Sequence, residues 1–302
     1  MRILITGGNG FIGSHLADQM IQAGYQVTLF DKMFNWHVEH LDVPKVQGDI
    51  LDSPDLASVV ANSDAVFHLA ALSRVEDGER DSGGCFAVNF SGTLRVIQLS
   101  SMYDKMVFFA SSREVYGNPQ KLPVTEQDGK NPISNYGLSK LFSELLLSKF
   151  RKSDGLRFIT LRFANVFGSS RDIPERVIPR FISRASNGLP LTVYGGEQVL
   201  DFTFIDTVVK NVASLLEVGL DHIGEDFNLA SGEGVTIQRL AGIVRAMTGS
   251  RSEIIQMPSR KFDVDRFIGD PSKVRETLKG RYASISFRDA LKIYIARCSK
   301  MG

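Results

Sequence analysis

The chain has 302 residues, enough to bury a full core as one large or two modest domains, with 35 basic against 34 acidic residues and two cysteines. The even charge argues against nucleic-acid or anionic-membrane partners, and Cys85 and Cys298 stand in no metal-ligand or redox spacing, so no metal site is expected. The N-terminal apolar run is too short for a signal sequence and no run approaches the ~20 apolar residues of a membrane span, which makes a reduced, cytoplasmic setting the default expectation.

Residues 2–5 read as a short apolar strand, followed by Gly7, Gly10 and Gly13 where the chain must turn tightly, approach a ligand and enter a helix. The helix beginning near Phe11 and Ile12 offers free N–H groups and a positive dipole end to a dinucleotide pyrophosphate. A glycine turn that merely packs helix on strand is the alternative, and the surrounding strand, amphipathic helix and second strand weigh against it. That second strand, residues 25–30, ends in Asp31, placed to accept both hydroxyls of an adenosine ribose. Asp31 favours NAD over NADP, although Lys32 beside it could partly offset a 2′-phosphate.

Residues 45–47 read as a third strand before Asp49 and Ile50, a polar and apolar pair suited to an adenine edge and face. A loop or helix cap explains Asp49 equally well on pattern alone. A short helix at 53–60 leads to a fourth strand at 65–68, which opens into Leu69, Ala70 and Ala71, small enough to keep the strand end clear. Residues 86–102 read as one long helix containing Asn89, and 106–110 as a fifth strand ending at Ser111 and Ser112. Serines there are more often turn formers, but in a doubly wound sheet Ser112 would face the ligand crevice.

Ser134 precedes Tyr136 and an amphipathic helix to about residue 150, in which Lys140 lies one turn from Tyr136 on the same face. An exposed i,i+4 pair is the alternative. Free tyrosine titrates near ~10, and a nearby ammonium ion would stabilise its phenolate, giving the spacing a chemical purpose. It follows the glycine loop, Asp31 and Ser112 in the order a hydride-transfer site needs.

Thr6-Gly7-x-x-Gly10-x-x-Gly13, Asp49-Ile50, His68-Leu69-Ala70-Ala71, Asn89 with Gly92-Thr93, Ser111-Ser112 before Val115-Tyr116-Gly117, and Tyr136-x-x-x-Lys140 together resemble an extended short-chain dehydrogenase/reductase. Within that superfamily the chain is similar to NAD-dependent nucleotide-sugar epimerases and dehydratases. The resemblance implies Ser112, Tyr136 and Lys140 as catalytic residues. It places Gly7, Gly10, Phe11, Ile12, Gly13, Asp31, Lys32, Asp49, Ile50, Leu69, Ala70, Ala71, Asn89 and Phe163 around the cofactor with Tyr136 and Lys140. It carries substrate contacts over to Ser112, Arg113, Asn165, Val177, Tyr194, Arg260 and Asp263, with Arg260 on the diphosphate and Asp263 on the ribose. A homodimer joined through the helices of Asn89 and Tyr136 is also implied by the resemblance.

Two departures qualify it. Leu200 stands where the family has a phosphate-contacting arginine, so diphosphate binding is weaker, served by Arg260 and Arg171, or directed at an unusual substrate. Arg113 and Glu114 occupy a catalytic loop where epimerases carry small residues, and dehydratases and decarboxylases a glutamate at the second position. Glu114 could be a base at sugar C5, or a structural carboxylate paired to Arg113.

The expected architecture is α/β: a doubly wound, seven-stranded parallel Rossmann sheet over residues 1–165, completed by about 206–230. A smaller C-terminal substrate-binding lobe, 166–205 and 231–302, would hold a nucleotide sugar between the two. The expected activity is a 4-epimerase working through a 4-keto intermediate on a UDP-sugar. A 4,6-dehydratase or nucleotide-glucuronate decarboxylase using Glu114 is the alternative, and a non-catalytic NAD-binding protein of the same fold a more distant one.

Overall fold

A computed structural model describes residues 1–260 and 263–299; the last stretch of the expected substrate lobe, 300–302, and residues 261–262 lie outside it. Strands β1 (Arg2–Thr6), β2 (Gln26–Asp31), β3 (Lys45–Gln47), β4 (Ala65–His68), β5 (Met106–Ser112) and β6 (Phe158–Phe163) alternate with helices along the first half of the chain. Then come β7 (Asn165–Phe167), β8 (Leu191–Tyr194), β9 (Val199–Phe204) and β10 (Asp226–Leu229). The central sheet has seven parallel strands in the order β10-β6-β5-β4-β1-β2-β3, so the strand at 226–229 completes it as its composition anticipates. Strands β4, β5 and β6 are buried along their whole length, which is why they read as near-continuous apolar runs without alternation.

Strand order reverses between β1 and β4, and the carboxyl ends of these strands open the crevice in which such sheets bind ligands. Helix Phe11–Gln22 packs Phe11, Leu16, Ala17 and Met20 inward and stops at Gly24, whose φ of 84° an L side chain rarely adopts. Helix Asn135–Asp154 is started by Ser134, whose hydroxyl accepts from the Gly137 N–H at 3.0 Å, and ends at left-handed Gly155. It runs a turn further than its sequence pattern suggests.

The long helix expected at 86–102 is broken in character. Helix Ser82–Phe86 passes into a π-helical turn, Ala87–Gly92, and then into helix Thr93–Met102. Asn89 sits in that wide turn, fully buried. Its amide accepts from the Leu72 N–H at 2.8 Å and donates to the Leu72 carbonyl and the Ser139 hydroxyl, each at 3.0 Å.

A buried polar knot fixes the catalytic-loop strand to the helix carrying Tyr136. Arg162 of β6 donates to both oxygens of Glu144 at 2.9 Å, contacts Asp226 as well, and donates to the Tyr116 hydroxyl at 2.8 Å. Glu144 also accepts from Ser111 at 2.6 Å. Each buried charge here has a partner, the condition under which a buried ion pair can be tolerated. The remaining elements make a smaller sheet in which β9 pairs with β7, and a separate pair of β8 with strand Ile254–Met257. No helix among the described residues is long and apolar enough to cross a membrane.

Candidate active site

A cavity of about 650 Å³ lies along the carboxyl ends of the central strands and runs across to helix Val177–Ser186 and Arg260. That volume is in the range of small-molecule sites. Its first wall is the glycine turn. Gly7 has φ 71°, and a Cβ there would meet the Ala70 backbone nitrogen at 2.6 Å; a Cβ on Gly13 would meet the Gly7 carbonyl at 2.1 Å. Those two glycines allow backbone to pack on backbone. At Gly10 the nearest atom to a Cβ is the Gly7 carbonyl at 3.2 Å, and this residue is the one that leaves the floor of the cradle clear.

Asp31 lines the same cavity and accepts from the Asn9 N–H at 2.9 Å, which orients its carboxylate at the end of β2. Burial raises its pKa against that bond. Lys32 lines the cavity as well and pairs with Asp49 at 3.0 Å, which partly neutralises the cation nearest to a 2′-phosphate. Phe11, Ile12, Asp49, Ile50, Leu69, Ala70, Ala71 and Phe163 all line the cavity. Asn89 does not. Through Leu72 and Ser139 it ties the segment after β4 to the helix of Tyr136, a supporting place that motif order alone could not distinguish from a contact.

At the centre Ser112, Tyr136 and Lys140 converge, all three nearly or fully buried. The Ser112 hydroxyl stands close enough to the Tyr136 phenol to act on its pKa. Lys140 Nζ donates to the Ala110 carbonyl at 2.8 Å and lies 5.9 Å from the Tyr136 ring centre. Burial pushes the Tyr136 phenol up to about 12, and the groups that hold it down are Ser112 and, more remotely, the charge of Arg176. Burial pushes Lys140 down to about 8. Burial is the largest influence on both groups, and among the charges that lower the phenol's pKa is that of Arg176.

Arg113 and Glu114 form a buried ion pair of 2.7 Å, and Arg113 also reaches the Asn165 side-chain oxygen at 3.4 Å. The second Glu114 oxygen and one Arg113 terminal nitrogen are buried without a partner. Burial raises the Glu114 pKa, Arg113 lowers it and Asp263 raises it. Val177, Tyr194, Arg260 and Asp263 line the far end, where Arg260 holds Asp263 through bonds of 2.8 and 3.0 Å and lies over the Tyr194 ring. Arg171, one of the two arginines considered as substitutes at Leu200, is committed elsewhere: it pairs with Asp18 at 2.6 Å.

Sequence reasoning missed Asp172, Arg176 and Arg180. Asp172 is buried, its pKa raised by burial to about 6, and it pairs with Arg176 at 3.1 Å. The available signal was the i,i+4 spacing of two arginines at the start of an amphipathic helix. No group of three or more metal-ligating side chains occurs among the described residues.

A parallel sheet with a glycine cradle at its switch point and Ser, Tyr and Lys side chains converging beside it defines a dinucleotide-binding protein of the short-chain dehydrogenase/reductase class. Residues 3–230 match the model of the NAD dependent epimerase/dehydratase family. The chain belongs to that family, and NAD is its cofactor. It is 32% identical over 310 residues to a UDP-N-acetyl-alpha-D-glucosaminuronate decarboxylase of Bacillus cytotoxicus, covering 96% of this chain and 95% of the relative. Its structure is similar to that of UDP-glucose 4-epimerase from Thermotoga maritima, solved with UDP-glucose, at TM-score 0.93 and 32% identity, over 100% and 99% of the two chains. It is also similar to UDP-glucuronic acid 4-epimerase from Bacillus cereus, in complex with UDP-glucuronic acid and NAD, at TM-score 0.93, 26% identity and full coverage of both.

Proposed function

We propose that this protein is a nucleotide-sugar 4-epimerase, acting on a UDP-sugar through transient oxidation at sugar C4. The observation that carries this reading is the meeting of Ser112, Tyr136 and Lys140 beside the glycine cradle in a cavity that continues to Tyr194 and Arg260. NAD, held by residues 7–13 and Asp31, supplies the acceptor and then the donor of hydride, together with the positive charge of its nicotinamide.

Tyr136 takes the proton of the sugar 4-hydroxyl as the phenolate, which the positive charges of the loaded site would stabilise, and Ser112 donates a hydrogen bond to the oxygen as it becomes a carbonyl. Lys140 binds the nicotinamide ribose and contributes its charge to the same oxygen. Its bond to the Ala110 carbonyl fixes where that charge stands. In the return step the same group hands the proton back to the 4-oxygen after the keto sugar has turned over.

Glu114 separates this reading from the lyases. A carboxylate tied to Arg113 at 2.7 Å is a poor base at C5, and that favours the epimerase. Its unpartnered second oxygen is the specific observation in favour of a dehydratase or decarboxylase, the activity of the Bacillus cytotoxicus relative being a decarboxylation. Incubation with UDP-glucose, UDP-galactose, UDP-glucuronate and their N-acetyl counterparts, followed by proton NMR, tests the proposal. A mixture of 4-epimers is expected; a 4-keto-6-deoxy product or released CO2 would refute it. A homodimer through the outer helices and a cytoplasmic location remain part of the proposal, to be tested by light scattering and cell fractionation.

A further inference from the structure

Leu200 lines the cavity, so the position that ordinarily supplies a cation to two phosphates here presents an alkyl group. The neighbouring Asp201 points the other way, into bonds with Ser231 and Gly232, and cannot be recruited. Some other cation must meet a diphosphate. Several arginines of the cavity are already matched with carboxylates: Arg74 with Glu76 and Asp77, Arg113 with Glu114, Arg176 with Asp172, and Arg260 with Asp263.

Arg180 is placed differently. Its Nε is buried with no hydrogen-bond partner, and its guanidinium lies 5.9 Å from the centre of the Tyr194 ring. Arg260 lies 5.5 Å from the centre of the same ring. Arg180 and Arg260 therefore both border the Tyr194 ring at the substrate end of the cavity, and of the two Arg260 already has the carboxylates of Asp263 and Glu76 beside it. Burial and the charge of Arg260 both hold the Arg180 pKa below its ordinary value, whereas Glu76, 3.6 Å from Arg260, raises it. Arg176 stands one helical turn earlier, its carbonyl accepting the Arg180 N–H at 3.0 Å. Its charge reaches Tyr136. Arg180 lines the cavity that holds both Tyr136 and Tyr194, between which a diphosphate linking sugar to nucleoside has to lie. Arginine is suited to that ligand because its fork bonds two oxygens at once.

We infer that Arg180 binds the substrate diphosphate in place of the arginine missing at Leu200. This rests on the nucleotide-sugar reading, and the test separates the two. The NAD-loaded protein is titrated calorimetrically with UDP, UMP and uridine, as wild type, R180Q and R180K. R180Q is expected to lose at least tenfold in UDP affinity while uridine affinity stays within twofold, with R180K retaining more UDP affinity than R180Q. Unchanged UDP affinity in R180Q, or a parallel loss for uridine, would overturn the inference, as would equal losses in R180Q and R180K, which would assign the effect to packing. Wild-type protein that takes NAD but none of UDP, dTDP, GDP or CDP would instead bring down the nucleotide-sugar reading itself, and this inference with it.

Discussion

Lys140 donates its Nζ proton to the Ala110 carbonyl at 2.8 Å, two residues before Ser112 on the same strand. One strand end thus anchors the ammonium group and carries the hydroxyl that faces Tyr136, so the placing of three side chains depends on two elements. Tyr136→Phe removes the proton-transferring oxygen and leaves the ring's packing in place. Turnover is expected to drop about 10²- to 10⁴-fold, the usual contribution of a positioned acid or base, with an unaltered circular dichroism spectrum. Lys140→Ala should fall comparably and also weaken NAD binding; a rate within threefold of wild type in either variant would remove the pair from the mechanism.

The Arg113 and Glu114 pair gives a prediction in which stability and rate part company. Glu114→Gln leaves the buried Arg113 without its counter-charge, and breaking a buried pair from one side costs about 3–5 kcal/mol. The urea midpoint should fall markedly while kcat for epimerisation stays within about tenfold, because the carboxylate takes no proton in that reaction. A thousandfold loss of kcat with little loss of stability would make Glu114 the base and the enzyme a lyase.

The three glycines of the cradle should separate in the same manner. A Cβ at Gly13 would meet the Gly7 carbonyl at 2.1 Å, so Gly13→Ala forces the turn apart and lowers the melting temperature. Gly10→Ala meets that carbonyl only at 3.2 Å, a few tenths of an ångström of adjustment, and should fold. Its expected defect is in NAD affinity, read by nicotinamide fluorescence on titration with NADH. Equal destabilisation of the two variants would contradict this division of roles.

These contrasts mark where the sequence was legible. Parallel strands buried on both faces are unbroken apolar runs, so β4 could be bounded to the residue and β5 to within two, and the glycine spacing located the cradle because only backbone geometry was at stake. The π turn at Ala87–Gly92 leaves no comparable trace, since a widened helical turn keeps a helical pattern. Nor does spacing disclose burial: Tyr136 and Lys140 sit one turn apart as expected, but the direction of their pKa shifts follows from how deeply the fold encloses both. Arg180 was invisible for a related reason, its meeting with Arg260 being made by two segments about eighty residues apart.

His68 offers a test of the fold independent of any substrate. It is buried at the end of β4 between the hydroxyls of Thr6 and Thr93, at 2.7 and 2.9 Å, and burial, with the charge of Lys140, holds its pKa down to about 3 from an ordinary 6.5. The native state thus keeps this imidazole neutral where the unfolded chain would protonate it. Below pH 6.5 the unfolded state binds the extra proton, so this group's contribution is fully present above that pH and is lost progressively as pH falls towards about 3. The slope approaches roughly 1.4 kcal/mol per pH unit for one such group. His68→Gln keeps a polar side chain between the two threonines but does not titrate. At pH 7.5 it should be less stable than wild type by about 1–2 kcal/mol, from hydrogen bonds made with poorer geometry. Urea denaturation at pH 7.5, 6 and 4.5 should then show the gap closing and reversing, with His15 and the carboxylates common to both proteins cancelling in the difference. A gap that stays constant across that range would mean that His68 takes up its proton in the native protein at the same pH as in the unfolded chain, so that burial does not depress its pKa.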